Sequence, residues 1–151
     1  MKFLKKANRR NRAGRMGKWG REHVFAGHVK PGAPAGSGYH YRPGGRDWPG
    51  RRLVPGTKQI DPATGAYKAK PQFYDPHKVP PGWKGKAGNG GYSSFFPDHW
   101  TPAQVDAAIG EAFKGSVPVP GTNRWRGRYR GLVIEGFYDQ SGGLLHGWPQ
   151  M

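Results

Sequence analysis

The 26 glycines and 15 prolines of this 151-residue chain break it into short runs. Proline fixes φ and lacks a backbone donor, and glycine weakens the interior of helices and strands. Such a chain is better suited to short strands joined by many turns than to a helical bundle. The low apolar fraction, 34%, also allows disorder, but 6 Trp, 7 Tyr and 7 Phe oppose it, because each can bury a large area. The length is that of a single domain able to enclose a useful core.

A formal net charge of +16, from 25 Lys and Arg against 9 Asp and Glu, favours a polyanionic partner, nucleic acid above all. Membrane surfaces and acidic proteins are the other classes such a charge fits. Apolar runs stay far below the roughly 18 residues that span a bilayer, so no membrane role is expected. The basic N-terminus has no apolar h-region, and no secretory signal is visible. Without cysteine the fold is independent of redox compartment and has no thiolate metal site. Residues 1–21 hold nine basic side chains and no acidic one, which reads as a flexible arm or linker, solvated or nucleic-acid-binding. A folded domain is expected over 22–151.

Residues 22–29 are too few to decide between helix and strand, and Pro31 to Gly38 form a loop. Tyr39-His40-Tyr41 alternates as a strand would, with His40 opposite its neighbours. Arg42 to Gly56 reads as a long ordered loop pinned by Trp48. Asp61 to Gly65 is a turn, followed by a strand over Ala66–Lys70 that Phe73 and Tyr74 continue, and Asp75 to Gly91 returns to loop. Thr101, Pro102 and Gln104 make a capping box and first turn. Val105, Ala108, Ile109, Ala112 and Phe113 then supply the buried face of a helix over 102–114, ended by Gly115. Beyond it, Arg124, Arg126, Arg128 and Arg130 recur with period two on one strand face, with Trp125 and Tyr129 on the other. That arginine face suits phosphate tracking, and equally a charged, solvated sheet surface. Leu132–Tyr138 and Leu144–Trp148 complete the strands, joined by a turn over Asp139–Gly143.

Six histidines, His23, His28, His40, His77, His99 and His146, are the residues best suited to proton transfer. No His-Glu-x-x-His or carboxylate cluster points to a metal hydrolase, and no Gly-x-Ser-x-Gly elbow to a serine hydrolase. Metal-free cleavage of RNA needs only a base for the 2′-OH, an acid for the departing 5′-oxygen, and a cation for the phosphorane. Two imidazoles and a Lys or Arg meet that need. Composition does not choose the pair. His23 and His40, on the two arms of one Gly/Pro-rich excursion, are a pair that can end up facing a common point.

Several landmarks occur in order over residues 22–151: Glu22-His-Val-Phe-x-Gly27, Ser37-Gly-Tyr-His40, Tyr67-Lys-Ala-Lys70, Ser93-Ser-Phe-Phe-Pro-x-x-Trp100, Trp125-x-Gly127, Ile134-Glu-Gly136 and Trp148-Pro149. Together they resemble the bacterial EndoU-type ribonuclease toxin domains of contact-dependent inhibition and polymorphic toxin systems. These domains are related to eukaryotic EndoU and to the coronaviral uridylate-specific endoribonuclease. The resemblance implies a His-His-Lys site with His23 and His40 as the histidines. Lys86 is the favoured lysine, with Lys84 and Lys70 as rivals, and Ser94 or Ser93 is the uracil-recognising hydroxyl. Where the family ends in Thr or Ser, a small residue, Tyr and Pro, this chain has His146-Gly147-Trp148-Pro149. Trp148 can still stack on sugar or base, while His146 replaces a neutral donor and could share the acid–base role.

The expected function is thus a cofactor-free RNA endonuclease leaving a 2′,3′-cyclic phosphate, acting as an antibacterial toxin on tRNA or another cellular RNA. Arg42 and Arg126 are added as phosphate contacts. The alternative is a non-catalytic basic RNA-binding module. The resemblance also implies delivery from a producing cell into the target-cell cytoplasm and a cognate immunity protein. The charge makes that partner acidic, and the chain is otherwise expected to be a monomer. The fold class is α+β, with two small antiparallel β-rich lobes flanked by helices. The 102–114 helix should pack on the C-terminal hairpin, and an active-site groove should lie between the lobes.

Overall fold

The computed structural model describes residues 14–151; most of the stretch expected as a basic arm, residues 1–13, lies outside the described residues. Lys18 to Arg21, which belong to the same stretch, form the first half of helix α1, Lys18–Phe25. Ten strands follow, with helix α2 among them: β1 Arg51–Leu53, β2 Gln59–Ile60, β3 Tyr67–Ala69, β4 Pro71–Asp75, β5 Gly82–Lys84, β6 Ser93–Phe95, α2 Pro102–Lys114, β7 Val117–Pro118, β8 Arg124–Tyr129, β9 Leu132–Tyr138 and β10 Leu144–Pro149. The class is α+β, and the strands form three small antiparallel sheets. The described chain divides into two compact units, one over Glu22–His99, the other joining Trp100–Gln150 to the residues up to Arg21.

In the Trp100–Gln150 unit, the sheet runs β10-β9-β8-β7. Tyr129 pairs with Leu132 across Arg130 and Gly131. Both turn residues have positive φ, 48° and 80°, the geometry whose twist matches a two-residue hairpin. Arg130 therefore leaves the strand, and the expected four-arginine face reduces to Arg124, Arg126 and Arg128. Helix α2 begins with the expected capping box: Gln104 N donates to Thr101 Oγ1 and Thr101 N to Gln104 Oε1. Its apolar face is buried as the periodicity requires, and Phe113 meets the fully buried Trp125 of β8 edge-on, with centroids 5.2 Å apart. Gly127 permits this approach, since a Cβ there would lie 2.0 Å from the Ala112 carbonyl oxygen. Glu135 of β9 is buried and accepts from Arg126, with Arg124 close by.

The Glu22–His99 unit carries two three-stranded sheets, β1-β4-β5 and β2-β3-β6. The single strand expected from Ala66 through Tyr74 is two strands in different sheets. The change comes at Lys70-Pro71: Lys70 N donates to Thr57 Oγ1, and Pro71 has no donor with which to continue a ladder. Tyr67 and Ala69 of β3, Phe73 of β4 and Phe95 of β6 nevertheless share one core with Tyr39. Other expectations need correction here. Arg51–Leu53 and Gly82–Lys84 are strands within the segments read as loops, too short for any periodicity to show. Trp48 is half exposed rather than a buried anchor. Its loop is held instead by Asp47, which accepts from Arg42 Nε and Tyr39 OH. Tyr39-His40-Tyr41 is not a strand: all three residues are buried, and Tyr39 has φ 74°.

Replacing Trp125 by Ala is expected to destabilise the protein by about 3–5 kcal/mol, and Thr101→Ala, which removes the cap, by about 1 kcal/mol. Denaturant midpoints at unchanged slope measure both; losses of equal size would contradict the burial contrast.

Candidate active site

The last turn of a helix leaves carbonyls without intrahelical donors. In α1 the chain itself returns to fill them: Tyr39 N donates to His23 O at 2.8 Å, and His40 N to Val24 O at 2.7 Å. The backbone of one histidine is thus tied to the carbonyl next to the other. Between them, His28 and Ser37 exchange two backbone hydrogen bonds that close the base of the excursion. Gly38 has φ 74°, and a Cβ there would lie 2.3 Å from His23 O and 3.0 Å from two ring atoms of His23. Only glycine lets the two arms approach this closely.

The His23 and His40 rings end with centroids 6.2 Å apart, inclined at 43°. His40 is buried, and its carbonyl accepts from Phe96 N. Its Nδ1 lies 2.7 Å from Ser94 O, an atom that only accepts, so Nδ1 carries the proton and Nε2 holds the lone pair of the neutral ring. His23 Nδ1 faces His28 Nδ1 at 3.2 Å.

Lys86 joins this cluster through backbone pairing of its segment with Gly36, the exit of the excursion. Its ammonium donates to Ser93 Oγ at 2.9 Å and Gly38 O at 3.2 Å. Ser93 Oγ donates in turn to Tyr39 O and lies 3.2 Å from His40 Nδ1, so one hydroxyl links lysine to histidine. Burial pushes the Lys86 ammonium down to about 8. Lys84 is engaged elsewhere: it is buried, and it donates to Asp75 Oδ2, Lys30 O and Ala33 O, using all three of its protons. It fastens the far end of the excursion. Lys70 lies over the Tyr92 ring at 5.3 Å.

His23, His40, Ser93, Ser94 and Lys86 therefore cluster in the Glu22–His99 unit. Arg42, in the same unit, donates to Asp47, Tyr67 OH and Gly45 O, a bracing arrangement. Trp148, His146 and Arg126 belong to the other unit. There, the buried His146 packs between Trp19 and Trp148, with centroids 5.9 and 5.7 Å away, and Arg126 leans on Glu135. Sequence reasoning gave no task to His28, Asp75 or Glu135. The signals for the two acids lay in strand pairing, which the spacing of Asp75 from Lys84 or of Glu135 from Arg126 does not display. Among the described residues, no group of three or more His, Asp or Glu is placed to hold a metal ion.

Burial alone would raise the Asp75 carboxyl, but Lys84 and the His77 and Gly32 amides bring it from 3.8 to about 2. The stability this carboxylate contributes is complete above its unfolded value, near pH 4, and is lost as the pH falls through about 2. Asp75→Asn should lower stability at neutral pH and flatten its fall between those values. Thermal melts across the range test this; an unchanged acid profile would contradict the assignment.

An alignment 103 positions long, covering 65% of this chain, is 28% identical to a Bacillus cereus protein named Toxin and spans 16% of that protein's length. No solved structure matches. The model of the family described as bacterial EndoU nuclease matches residues 17–150, starting one residue before α1. On that match, the chain belongs to the bacterial EndoU nuclease family.

Proposed function

We propose that the chain is a metal-independent endoribonuclease whose catalytic groups are His23, His40 and Lys86. The observation that carries this is the closeness of two histidine rings, 6.2 Å between centroids, with His40 linked to the Lys86 ammonium through Ser93. One imidazole takes the proton of the 2′-OH. The 2′-oxygen then bonds to phosphorus, and the P–O5′ bond breaks. The second imidazole gives a proton to the departing 5′-oxygen, leaving a 2′,3′-cyclic phosphate and a 5′-hydroxyl. Lys86, desolvated beside the reacting phosphate, stabilises the charge on its oxygens. Ser94, or the Lys86-bonded Ser93, would meet the base, with uridine the expected preference, and Trp148 would stack on sugar or base. Arg126 and His146 would add contacts from the same sheet as Trp148.

The Toxin name of the Bacillus cereus relative supports a toxin role; that the toxin is antibacterial and acts on tRNA or another cellular RNA after delivery into the target-cell cytoplasm is part of the same proposal. A toxin of this kind needs a cognate immunity protein in its producer. A chain with net charge +16 fits an acidic one, whose complex should weaken with salt. The basic stretch before the matched region would join the nuclease to its delivery polypeptide.

Incubation of the protein with total RNA in EDTA should yield products ending in 2′,3′-cyclic phosphate; intact RNA would favour a non-catalytic binding module. His23→Ala and His40→Ala should each lower the rate on the order of 10²-fold or more, and full cleavage by the double variant would overturn the assignment. The Lys86 charge is lost as pH rises through about 8, so the rate should decline there. In Lys86→Arg, which stays charged, that decline should move to higher pH. A limb that stays in place would remove Lys86 from the mechanism.

A further inference from the structure

We infer that His28 is a positioning residue for His23: its Nδ1, 3.2 Å from His23 Nδ1, accepts a hydrogen bond from the Nδ1–H there and leaves His23 Nε2 to exchange protons with the substrate. This inference rests on the catalytic part proposed for His23. Two Nδ1 atoms at that distance share a single proton, because two N–H groups would collide and two lone pairs would repel. Whichever ring donates, the tautomer of one fixes that of the other.

Direction comes from the surroundings. Burial pushes the His28 imidazole down, with Glu22 acting against the shift and Arg51 adding to it. Burial thus keeps His28 neutral, and because the proposed cleavage needs His23 Nε2 free to take and give a proton, the shared proton belongs on His23 Nδ1 and His28 Nδ1 accepts. The ring planes are inclined at 34° with centroids 5.3 Å apart, so the two Nδ1 edges meet rather than the ring faces. The His28 backbone is fixed by its two hydrogen bonds to Ser37, and Gly38 leaves the space beside His23 Nδ1 that a side chain would fill. His40 is held in the same way by the Ser94 carbonyl, so both histidines present Nε2. The arrangement serves His23 equally as base and as acid, since its Nδ1–H stays hydrogen-bonded to His28 throughout.

Imidazole ¹⁵N NMR of the unaltered protein gives the direct test: His23 is expected as the Nδ1–H tautomer, and an Nε2–H tautomer would overturn the inference. Two variants test the consequence. His28→Leu keeps bulk but removes the acceptor, and should lower kcat about 10–100-fold while leaving KM within about twofold. His28→Asn places an amide oxygen near the Nδ1 position and should restore most of the rate. Native kcat in a folded His28→Leu, or no recovery in a His28→Asn that melts like the parent, would sink the proposal. Full cleavage by His23→Ala would instead remove His23 from catalysis, whereas the tautomer measurement would still decide what His28 does.

Discussion

The unsatisfied carbonyls at the end of α1 are the constraint on which the candidate site depends. A helix that stops after two turns has few of its own donors to offer, and its last oxygens must find others. Tyr39 and His40 supply two of them, so the termination of a helix and the meeting of two histidines are one event. Positive φ at Tyr39, beside a Gly38 that takes the same region freely, is the strained backbone that this return requires. The deep burial of the Tyr39 ring, with its hydroxyl on Asp47, over-determines the conformation and holds it.

A second layer of interactions keeps the excursion from wandering. Lys84 and Asp75 form an ion pair with both side chains buried, and the remaining lysine protons go to carbonyls of the excursion itself. A pair so enclosed is tolerable because all three lysine protons and both carboxylate oxygens find partners. Lys84 thus does for the loop what Lys86 is proposed to do for the phosphate. The difference between these two lysines, two residues apart, is one of partners: a carboxylate for one, a hydroxyl and a carbonyl for the other.

Helix α2 was fully legible because capping box, periodicity and terminal glycine all describe local structure, and the arginine strand was legible for the same reason. His23 and His40 stood out as two candidates on one excursion, and the ordered family landmarks selected them. What the sequence hid was non-local. The crossing between sheets at Pro71 and the strand at Gly82–Lys84 depend on partners far along the chain. The role of Glu135 depends on Arg126 standing across the ladder, and that of Asp75 on Lys84, its diagonal neighbour on the facing strand. His28 lies five residues from His23 and was visible throughout, but its ring contact forms only because α1 ends between them and the chain turns at Gly27, with φ 71°.

Glu135 alters what the arginine strand can be. Two of its three strand arginines lean on this one buried carboxylate, so the face carries less net field than its arginine count implies. Each nucleic-acid phosphate neutralised by a protein cation releases condensed counterions, and salt sensitivity grows with the number of such contacts. Guanidinium groups already shared with a carboxylate have less to gain from a phosphate. Such a strand orients its planar groups in fixed directions at the cost of electrostatic reach: it acts as a template for contact more than as a source of long-range attraction.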